Sequence, residues 1–506
     1  MSPRGPAAGP ARARAAAAGG VRAAAAGFVL VLAAACTAPE PPRSQAGGTP
    51  VAGAGMSTCR PPQRGVTPPA ETPTTIDVVE EAYYCVLAHH YSGATLDARA
   101  LLTAGFAGLT LELDRNDRDV AAASMPPLTG ERWTDWKSFE AAFRTLSAGL
   151  PEELTTKLAV ATLEAMLGHL GTNHTTWTHD APPRNPDAYS GDLYGLGLRA
   201  NLSGPQAQDD RGGAQPPLYV ATVLGGAARE AGLRPGDVIE SVDGRPPFAG
   251  GRVDAGAVAA LYPAYPDTRP VRLGLRREST GRRWTVELRP GLFQPDLALL
   301  QGVTAKLLGE RVAYLRVAAF APQVADRVFR VLARMRAGRS LGGVVLDLRG
   351  NTGGSPVEVN RLLGAFAHGK VTGHQCTPDG ECREVRTDDT VALLGLPLVV
   401  LTDRGCASAC DHFASAVRAH GLGKLVGTRT AGVVFGLPAT YFLSNGTTLG
   451  LPATHFLGPR REEIDRIGVP PDVHLPLTAA DVAAGRDPAV DRALSLLGST
   501  FTGGPS

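Results

Sequence analysis

A serine that follows an apolar run and opens a helical stretch is the first residue with a chemical interpretation. Ser408 lies in G-C-A-S-A-C-D, after the strand-like run LPLVVLT at 396–402 and at the start of a helical pattern. Free amides and the positive dipole end at a helix N-terminus favour an oxyanion. Such a position suits a serine nucleophile in acyl transfer, and a plain serine at a helix start is the alternative interpretation of Ser408. Cys406 and Cys410 bracket it, and a thiol at a helix start is the alternative nucleophile, although a structural role is favoured for both.

A glycine-rich turn upstream offers backbone amides. The segment GGVVLDLRGNTGG at 342–354 is an apolar run of the buried parallel type that ends in Asp, Arg, Asn and paired glycines. Such a sequence turns tightly and leaves N–H groups free, a geometry that stabilises an oxyanion.

The middle of the chain resembles a PDZ domain. YGLGLRA at 194–200 matches the Gly-Φ-Gly-Φ loop, and AAREAGLRPGDVIESVDG at 227–244 matches the later PDZ segment. The resemblance implies strand addition of an extended peptide, with its terminal carboxylate on the loop amides and an apolar last residue. The loop consists of Gly195, Leu196, Gly197 and Leu198. A scaffold or lid is the alternative role.

The order of these features resembles a peptidase family. A helical segment, a PDZ-like region, D-L-R-G-N-x-G-G and a strand entering A-S-A are similar to the C-terminal processing (tail-specific) peptidases and the tricorn protease core, over about 76–490. The resemblance implies Ser408 as nucleophile and places Asp411 where the family has Glu. It also implies an oxyanion hole formed by the amides of Gly353 or Gly354 and of Ala409.

The family's general base is a lysine in some members and a histidine in others. In T-A-G-V at 430–433, Val433 occupies the lysine position, and Lys424 lies too early and inside a strand. A Ser-Lys mechanism is therefore not expected. Tricorn-like members use a histidine after the helical segment and a carboxylate before G-V-x-P-D, which correspond here to His174 and Asp465. Imidazole accepts and returns a proton near neutral pH.

Several local alternatives stay open for this triad. His412 and His420 lie on the helix that follows Ser408 and would have to point back. Glu462 and Glu463 lie close to Asp465.

The N-terminus predicts export. Residues 1–35 combine arginines, no acidic residue and an apolar run too short to span a bilayer comfortably, as in a signal peptide. Small residues before Cys36 and a Pro-rich stretch after it resemble a lipoprotein signal, which implies lipidation of Cys36 and a membrane anchor. Simple secretion is the alternative.

Six further cysteines allow up to three disulfides in an oxidising compartment. Neighbours in sequence suggest Cys59 with Cys85 and Cys376 with Cys382. Pairing of Cys406 and Cys410 with each other, with Cys376 or Cys382, or burial as thiols, is left open. No Cys/His spacing suggests a metal, and no cofactor is expected.

Length and composition agree with a multidomain globular protein. The 506 residues predict roughly three domains, and 50 Lys+Arg against 48 Asp+Glu give no polyanion-seeking character, so no nucleic acid is expected. The resemblance implies an α/β fold class: a crotonase/Clp-protease-like core with an N-terminal helical segment and an inserted PDZ-like β domain. The predicted divisions are a signal peptide at 1–35, a lipid anchor and linker at 36–75, a helical domain at 76–184, a PDZ-like domain at 185–290, a peptidase core at 291–490 and a tail at 491–506.

The function expected from these residues is an exported serine endopeptidase that cleaves extracytoplasmic polypeptides. The PDZ-like region would capture or gate the polypeptide. A catalytically silent peptide- or apolar-ligand-binding lipoprotein on the same scaffold is the alternative from another class, and an esterase-like hydrolase is a second enzyme alternative. The sequence leaves the oligomeric state open.

Overall fold

The structure is a computed structural model that describes residues 69–93, 95–171, 174–179, 192–202, 216–295, 302–377, 380–434 and 438–502. The predicted signal peptide, the lipidation site Cys36 and Cys59 lie outside these residues. Within the described ranges, every helix is too short or too polar to cross a membrane.

Four helices form the N-terminal part of the described chain: α1 Ile76–His89, α2 Ala98–Arg115, α3 Arg132–Ser147 and α4 Glu152–His169. Their apolar faces bury Trp136, Phe139 and Tyr83. The same core includes Tyr441 and Leu449 from a distant hairpin. The helices therefore share their core with a later part of the chain, and this sharing fixes the end of α4 relative to that part.

A β-rich unit follows with its own apolar core. Its strands are β2 Leu193–Gly195, β3 Leu198–Ala200, β4 Val220–Val223, β5 Asp237–Val242, β6 Phe248–Ala249, β7 Arg252–Val253, β8 Val271–Arg277, β9 Arg283–Leu288 and β10 Gly291–Phe293. Its helices are α5 Gly226–Glu230 and α6 Ala255–Ala259. The pairs are β2 with β10, β3 with β4 and β6 with β7, and β8 lies between β5 and β9.

A six-stranded sheet in the order β11-β12-β13-β16-β17-β21 forms the centre of the second half. These strands are β11 Val303–Leu308, β12 Val312–Val317, β13 Gly343–Asp347, β16 Leu398–Thr402, β17 Gly423–Gly427 and β21 Val473–His474. All neighbours from β12 to β21 are parallel, and β11 is antiparallel to β12. The apolar runs expected as strands at the start of 342–354 and at 396–402 contain β13 and β16.

Helices cover both faces of this sheet, as parallel sheets require. They are α7 Val324–Arg336, α8 Pro356–Gly364, α9 Ala409–His420 and α11 Pro488–Thr502, whereas the short helix α10 Ala479–Ala483 packs against β4 and β5 of the β-rich unit. Val344 and Leu346 of β13 face the larger core, whereas Val345 packs with Ala493 of α11 on the other face. Continuous burial on both sides explains why the strand sequence is apolar throughout.

Two small sheets complete the described fold. One has the order β15-β14-β20, and the other has the order β1-β19-β18. Their strands are β14 Val371–Cys376, β15 Cys382–Arg386, β20 His455–Leu457, β1 Thr176–Thr178, β19 Thr448–Pro452 and β18 Pro438–Phe442. Pairing of β1 with β19 joins the segment after α4 to the second half of the chain.

Two disulfides lie within the described residues. Cys376 pairs with Cys382 across β14 and β15, as predicted from their spacing. Cys406 pairs with Cys410, which resolves the alternatives left open by the sequence and excludes a free thiol nucleophile at either position. The predicted pairing of Cys59 with Cys85 lies outside the described residues because Cys59 does.

The carboxyl ends of β13, β16 and β17 lie at one edge of the parallel sheet. In open α/β sheets, ligands bind outside this edge. The loops that leave the three strands carry the D-L-R-G-N-x-G-G turn, Ser408 and the 430–434 segment, respectively.

Candidate active site

Ser408 sits at the N-terminus of α9 in an unusual backbone conformation. Its φ is 58° and its ψ is −118°, a region that non-glycine residues rarely adopt and that persists only where neighbours fix it. Such residues cluster at functional sites. The side chain is partly exposed, whereas Ala407 and Ala409 on either side are buried. The backbone thus presents the hydroxyl at the surface of an otherwise closed turn.

The glycine turn packs directly against this serine. A Cβ on Gly353 would lie 2.7 Å from the Ser408 Cβ and 2.9 Å from the Ala409 nitrogen, so only glycine allows this approach. The Ala407 N–H donates to the Asn351 carbonyl at 2.9 Å and ties the two loops together. The glycine turn and the Ser408 turn are more than 50 residues apart in sequence, and they meet because each follows one of the adjacent strands β13 and β16.

The two predicted glycine amides differ in this structure. The Gly353 N–H donates to the Asn351 Oδ1 at 2.8 Å and is therefore engaged within its own turn. Within the described residues, the N–H groups of Gly354 and Ala409 have no hydrogen-bond acceptor. Among the described residues of the two turns, these two amides are therefore available to a ligand.

Asp411 connects Ser408 to the loop after β17. Its carboxylate is fully buried and accepts the N–H of Ser408 at 2.9 Å, of Gly432 at 2.9 Å and of Val433 at 3.1 Å. Burial raises the pKa of Asp411 to about 6, against which these backbone donors act. Val433 occupies the family's lysine position. Its side chain is buried and has no basic group, and its backbone N–H donates to Asp411.

Asp465 contacts the next residue of the same loop. The Val434 N–H lies 3.4 Å from the Asp465 Oδ1, and burial raises the pKa of the Asp465 carboxyl to about 6. Arg466 places its Nε 3.7 Å from Oδ2. Glu463 contacts other groups than Asp465 does. Its Oε1 lies 3.0 Å from the His455 Nε2 and also accepts the Asp465 N–H.

The C-terminal end of α4, four residues before His174, is anchored beside Asp465. Arg466 donates its backbone N–H to the Gly432 carbonyl at 2.6 Å and its guanidinium to the Leu170 carbonyl at 2.9 Å. His174 follows this anchor and precedes β1, which pairs with β19. Burial lowers the pKa of the His174 imidazole and keeps it neutral near pH 7. Arg466 was missed by sequence reasoning, although it directly follows Asp465.

The alternative bases lie elsewhere. His412 is 2% exposed and packs on the Phe456 ring, and His420 Nε2 lies 2.7 Å from the Val371 carbonyl. Lys424 opens β17, at the strand end opposite the site loops, with its Nζ 3.6 Å from the Asp472 Oδ1. None of these positions directs its charge toward Ser408.

The loop at 195–198 has the geometry of an amide-rich turn. Leu196 and Leu198 are buried, and the Gly197 carbonyl accepts the Leu224 N–H at 2.7 Å. In the described ranges, the N–H groups of Leu196 and Gly197 meet no acceptor. The strand that follows, β3, pairs only with β4 within the part of the chain that the structure describes.

Comparison with known proteins agrees with the chemistry at the sheet edge. The model of the family described as "Peptidase family S41" matches residues 311–475. The chain carries a peptidase family S41 domain. The S41 domain includes Ser408, Gly354 and Asp465, whereas His174 lies outside the matched residues. The matched domain thus relates this part of the chain to the S41 peptidases.

Named relatives include a carboxyl-terminal-processing protease of Synechocystis, 28% identical over 61% of this chain and 69% of that protein. Tricorn protease homolog 1 of Streptomyces coelicolor is 36% identical over 20% of this chain and 10% of that protein. The chain spans 54% to 69% of the length of three curated carboxyl-terminal processing peptidases.

Solved structures agree on the fold. Mature CPAF, solved in complex with lactacystin, has a TM-score of 0.50 at 14% identity and covers 78% of this chain and 98% of its own. This likeness supports a mixed α/β S41 protease fold. No cluster of three or more metal-ligating side chains occurs among the described residues.

Proposed function

We propose that the protein is an exported serine endopeptidase that cleaves peptide bonds in extracytoplasmic polypeptides. Ser408 attacks the scissile carbonyl, and His174 takes the hydroxyl proton and returns it to the leaving amine. Asp465 orients and stabilises the imidazole. The amides of Gly354 and Ala409 stabilise the tetrahedral oxyanion.

The observation that carries this proposal is the fixed conformation of Ser408 against the glycine turn. A φ of 58° and the approach of Gly353 hold a partly exposed serine next to the Ala409 amide, which, like the Gly354 amide, has no acceptor among the described residues. A peptide-binding scaffold without chemistry has no need for this arrangement. The neutral histidine supports the same assignment, because a base must be unprotonated to accept the serine proton.

The loop links support His174 and Asp465 as the other members of the triad. Asp411 ties Ser408 to Val433, the next residue Val434 contacts Asp465, and Arg466 joins that turn to the segment before His174. Four parts of the chain that are distant in sequence therefore converge on one edge of the sheet. Convergence of this kind is expected of a triad assembled from loops.

We further propose that residues 185–290 act as a PDZ-like domain inserted in a crotonase/Clp-protease-like architecture. Among the described residues, the N–H groups of Leu196 and Gly197 have no acceptor and one edge of β3 has no neighbouring strand, which suits the carboxylate and backbone of a peptide C-terminus. The Tyr262 hydroxyl already uses part of this edge, since it accepts the Ala200 N–H at 3.2 Å and donates to the Leu202 carbonyl at 2.9 Å. A peptide that pairs beyond its last residues must displace this hydroxyl.

Export and lipid anchoring through Cys36 belong to the same proposal. Two disulfides among the described residues suit an oxidising compartment. Membrane attachment through a lipidated N-terminus would hold the peptidase on the extracytoplasmic side, and secretion is the alternative.

The experiment is hydrolysis of unstructured peptides with apolar last residues, followed by mass spectrometry. The wild-type protein is expected to cut internal peptide bonds, and Ser408→Ala is expected to abolish cleavage. Peptides with an amidated C-terminus should be cleaved more slowly if the amide loop captures the carboxylate. Cleavage of esters but not peptides would support the esterase alternative, and binding without cleavage by a folded sample would support the silent receptor.

A further inference from the structure

The Cys406–Cys410 disulfide encloses the nucleophile. The two cysteines are separated by four positions, and Ser408 stands midway between them. Both sulfur-bearing residues are fully buried in the larger core.

The bond joins the residue that enters the turn to the first turn of α9. Cys406 is fixed on its other side, because its carbonyl accepts the Ala431 N–H at 2.8 Å. Cys410 lies in the helix, one residue beyond Ala409. The disulfide therefore fixes the distance across Ser408 and the direction in which the Ala409 N–H points.

The conformation that the bond encloses is one that an unconstrained chain rarely holds. Ser408 has a positive φ although it has a side chain, and its neighbours must fix it. The other fixed points are hydrogen bonds: Ala407 N–H to the Asn351 carbonyl and Ser408 N–H to the Asp411 carboxylate. The disulfide is the one covalent constraint on this turn among the described residues.

We propose that the Cys406–Cys410 disulfide positions the Ser408 hydroxyl and the Ala409 amide, so that the peptidase turns over in its oxidised form and slows when this bond is absent. The inference rests on the proposed function of Ser408. A dithiol reductant would transfer two electrons and two protons to the bond, giving two cysteine thiols and an oxidised, cyclic reductant.

The chain provides a matched control in its second disulfide. Cys376 and Cys382 are separated by six positions and are directly paired across β14 and β15. Removing either bond deletes one short-loop cross-link. Only one of the two removals affects the turn that holds Ser408.

The test compares Cys406→Ala/Cys410→Ala with Cys376→Ala/Cys382→Ala in the mature protein. We expect the first pair to lower kcat and the rate constant of fluorophosphonate labelling at least 10-fold, with KM within twofold of wild type. The control pair should retain both rates within twofold. Thermal unfolding of both variants measures any general loss of stability. A merely structural role of the disulfide would lower stability without lowering kcat selectively over KM.

A second measurement covers the case in which the first variant does not fold. Wild-type protein is reduced with dithiothreitol until alkylation and mass spectrometry show both thiols, and is then reoxidised with oxidised glutathione. Labelling should fall on reduction and return on reoxidation, and the control variant should show the same cycle. Equal labelling of oxidised and reduced protein, or equal effects of the two variant pairs, would overturn the inference. Absence of labelling in oxidised wild type would instead reject the proposed function itself.

Discussion

Replacing Asp411 with asparagine separates the charge of this side chain from its shape. Asp411 accepts three backbone N–H groups, from Ser408, Gly432 and Val433, at 2.9 to 3.1 Å. Asparagine keeps one acceptor oxygen and turns its NH2 group toward at least one of these donors. We expect Asp411→Asn to shift the Ser408 turn or the 432–433 amides and to lower kcat by about 10- to 100-fold, because small displacements of catalytic groups have effects of this size.

The change in stability is expected to be limited because two effects of the substitution oppose each other. Hydrogen bonds to a charged group contribute about 1.5–3 kcal/mol each, and asparagine loses one or two of them. Burial acts in the opposite direction, because it raises the pKa of Asp411 from 3.8 to about 6. This shift is a cost of about 3 kcal/mol at pH 7 for keeping the carboxylate charged, and a neutral asparagine does not have this cost. The two effects oppose each other, so the free energy of unfolding at pH 7 should change by less than about 3 kcal/mol.

The pH dependence of stability gives the sharper test. Because the folded-state pKa lies above the unfolded value, the stabilisation is full below 3.8 and is lost as pH rises through about 6. Between pH 5 and pH 7, Asp411 should therefore remove about 1.3 kcal/mol of stability from the wild type and none from the variant. The raised pKa of Asp465 acts in both proteins and cancels in the difference.

The assay is urea unfolding followed by far-UV circular dichroism at pH 5 and pH 7, for wild type and Asp411→Asn, with kcat measured on the same samples. A difference of about 1.3 kcal/mol between the two pH responses is expected. Parallel pH responses, or an unchanged kcat, would refute the assignment of Asp411 as the buried acceptor that holds the Ser408 turn.

Further predictions concern the base and the peptide groove. His174→Ala should abolish turnover while His412→Ala retains most of it, and the opposite pattern would exchange their roles. The acid limb of the wild-type profile of kcat/KM should lie at or below about 6.5, because burial lowers the pKa of His174; a limb well above that value would count against an imidazole base. Lys424→Ala should leave kcat unchanged, and a large loss would revive a Ser-Lys mechanism. Tyr262→Phe should tighten binding of peptides with apolar last residues in calorimetry, and weaker binding would show that the hydroxyl serves the ligand.

The strands of the central sheet could be predicted because each is buried on both faces. GVVLD at 343–347 and LVVLT at 398–402 are continuous apolar runs, and burial by helices on both sides explains that pattern. The start of the helix after Ser408 and the Cys376–Cys382 pair also followed from local sequence. These features depend on neighbours along the chain.

The contacts that organise the site depend on residues distant in sequence and could not be predicted. The choice between Gly353 and Gly354 as amide donor depends on where the Asn351 side chain points. The role of Asp411 as acceptor for Gly432 arises because β16 and β17 are adjacent strands. The pairing of Cys406 with Cys410 depends on where the helix begins, since the first residue of the helix sets the distance between the Cα atoms of the two cysteines.

The most direct test of the central claim is labelling of the mature protein by a fluorophosphonate probe, with the modified residue located by peptide mapping. We predict one adduct, on Ser408, that forms at least 100-fold more slowly in His174→Ala and is absent in Ser408→Ala. Loss of the adduct in His174→Ala with an unchanged fold would establish an activated serine. Labelling at another residue, or at Ser408 with the same rate in His174→Ala, would contradict the account.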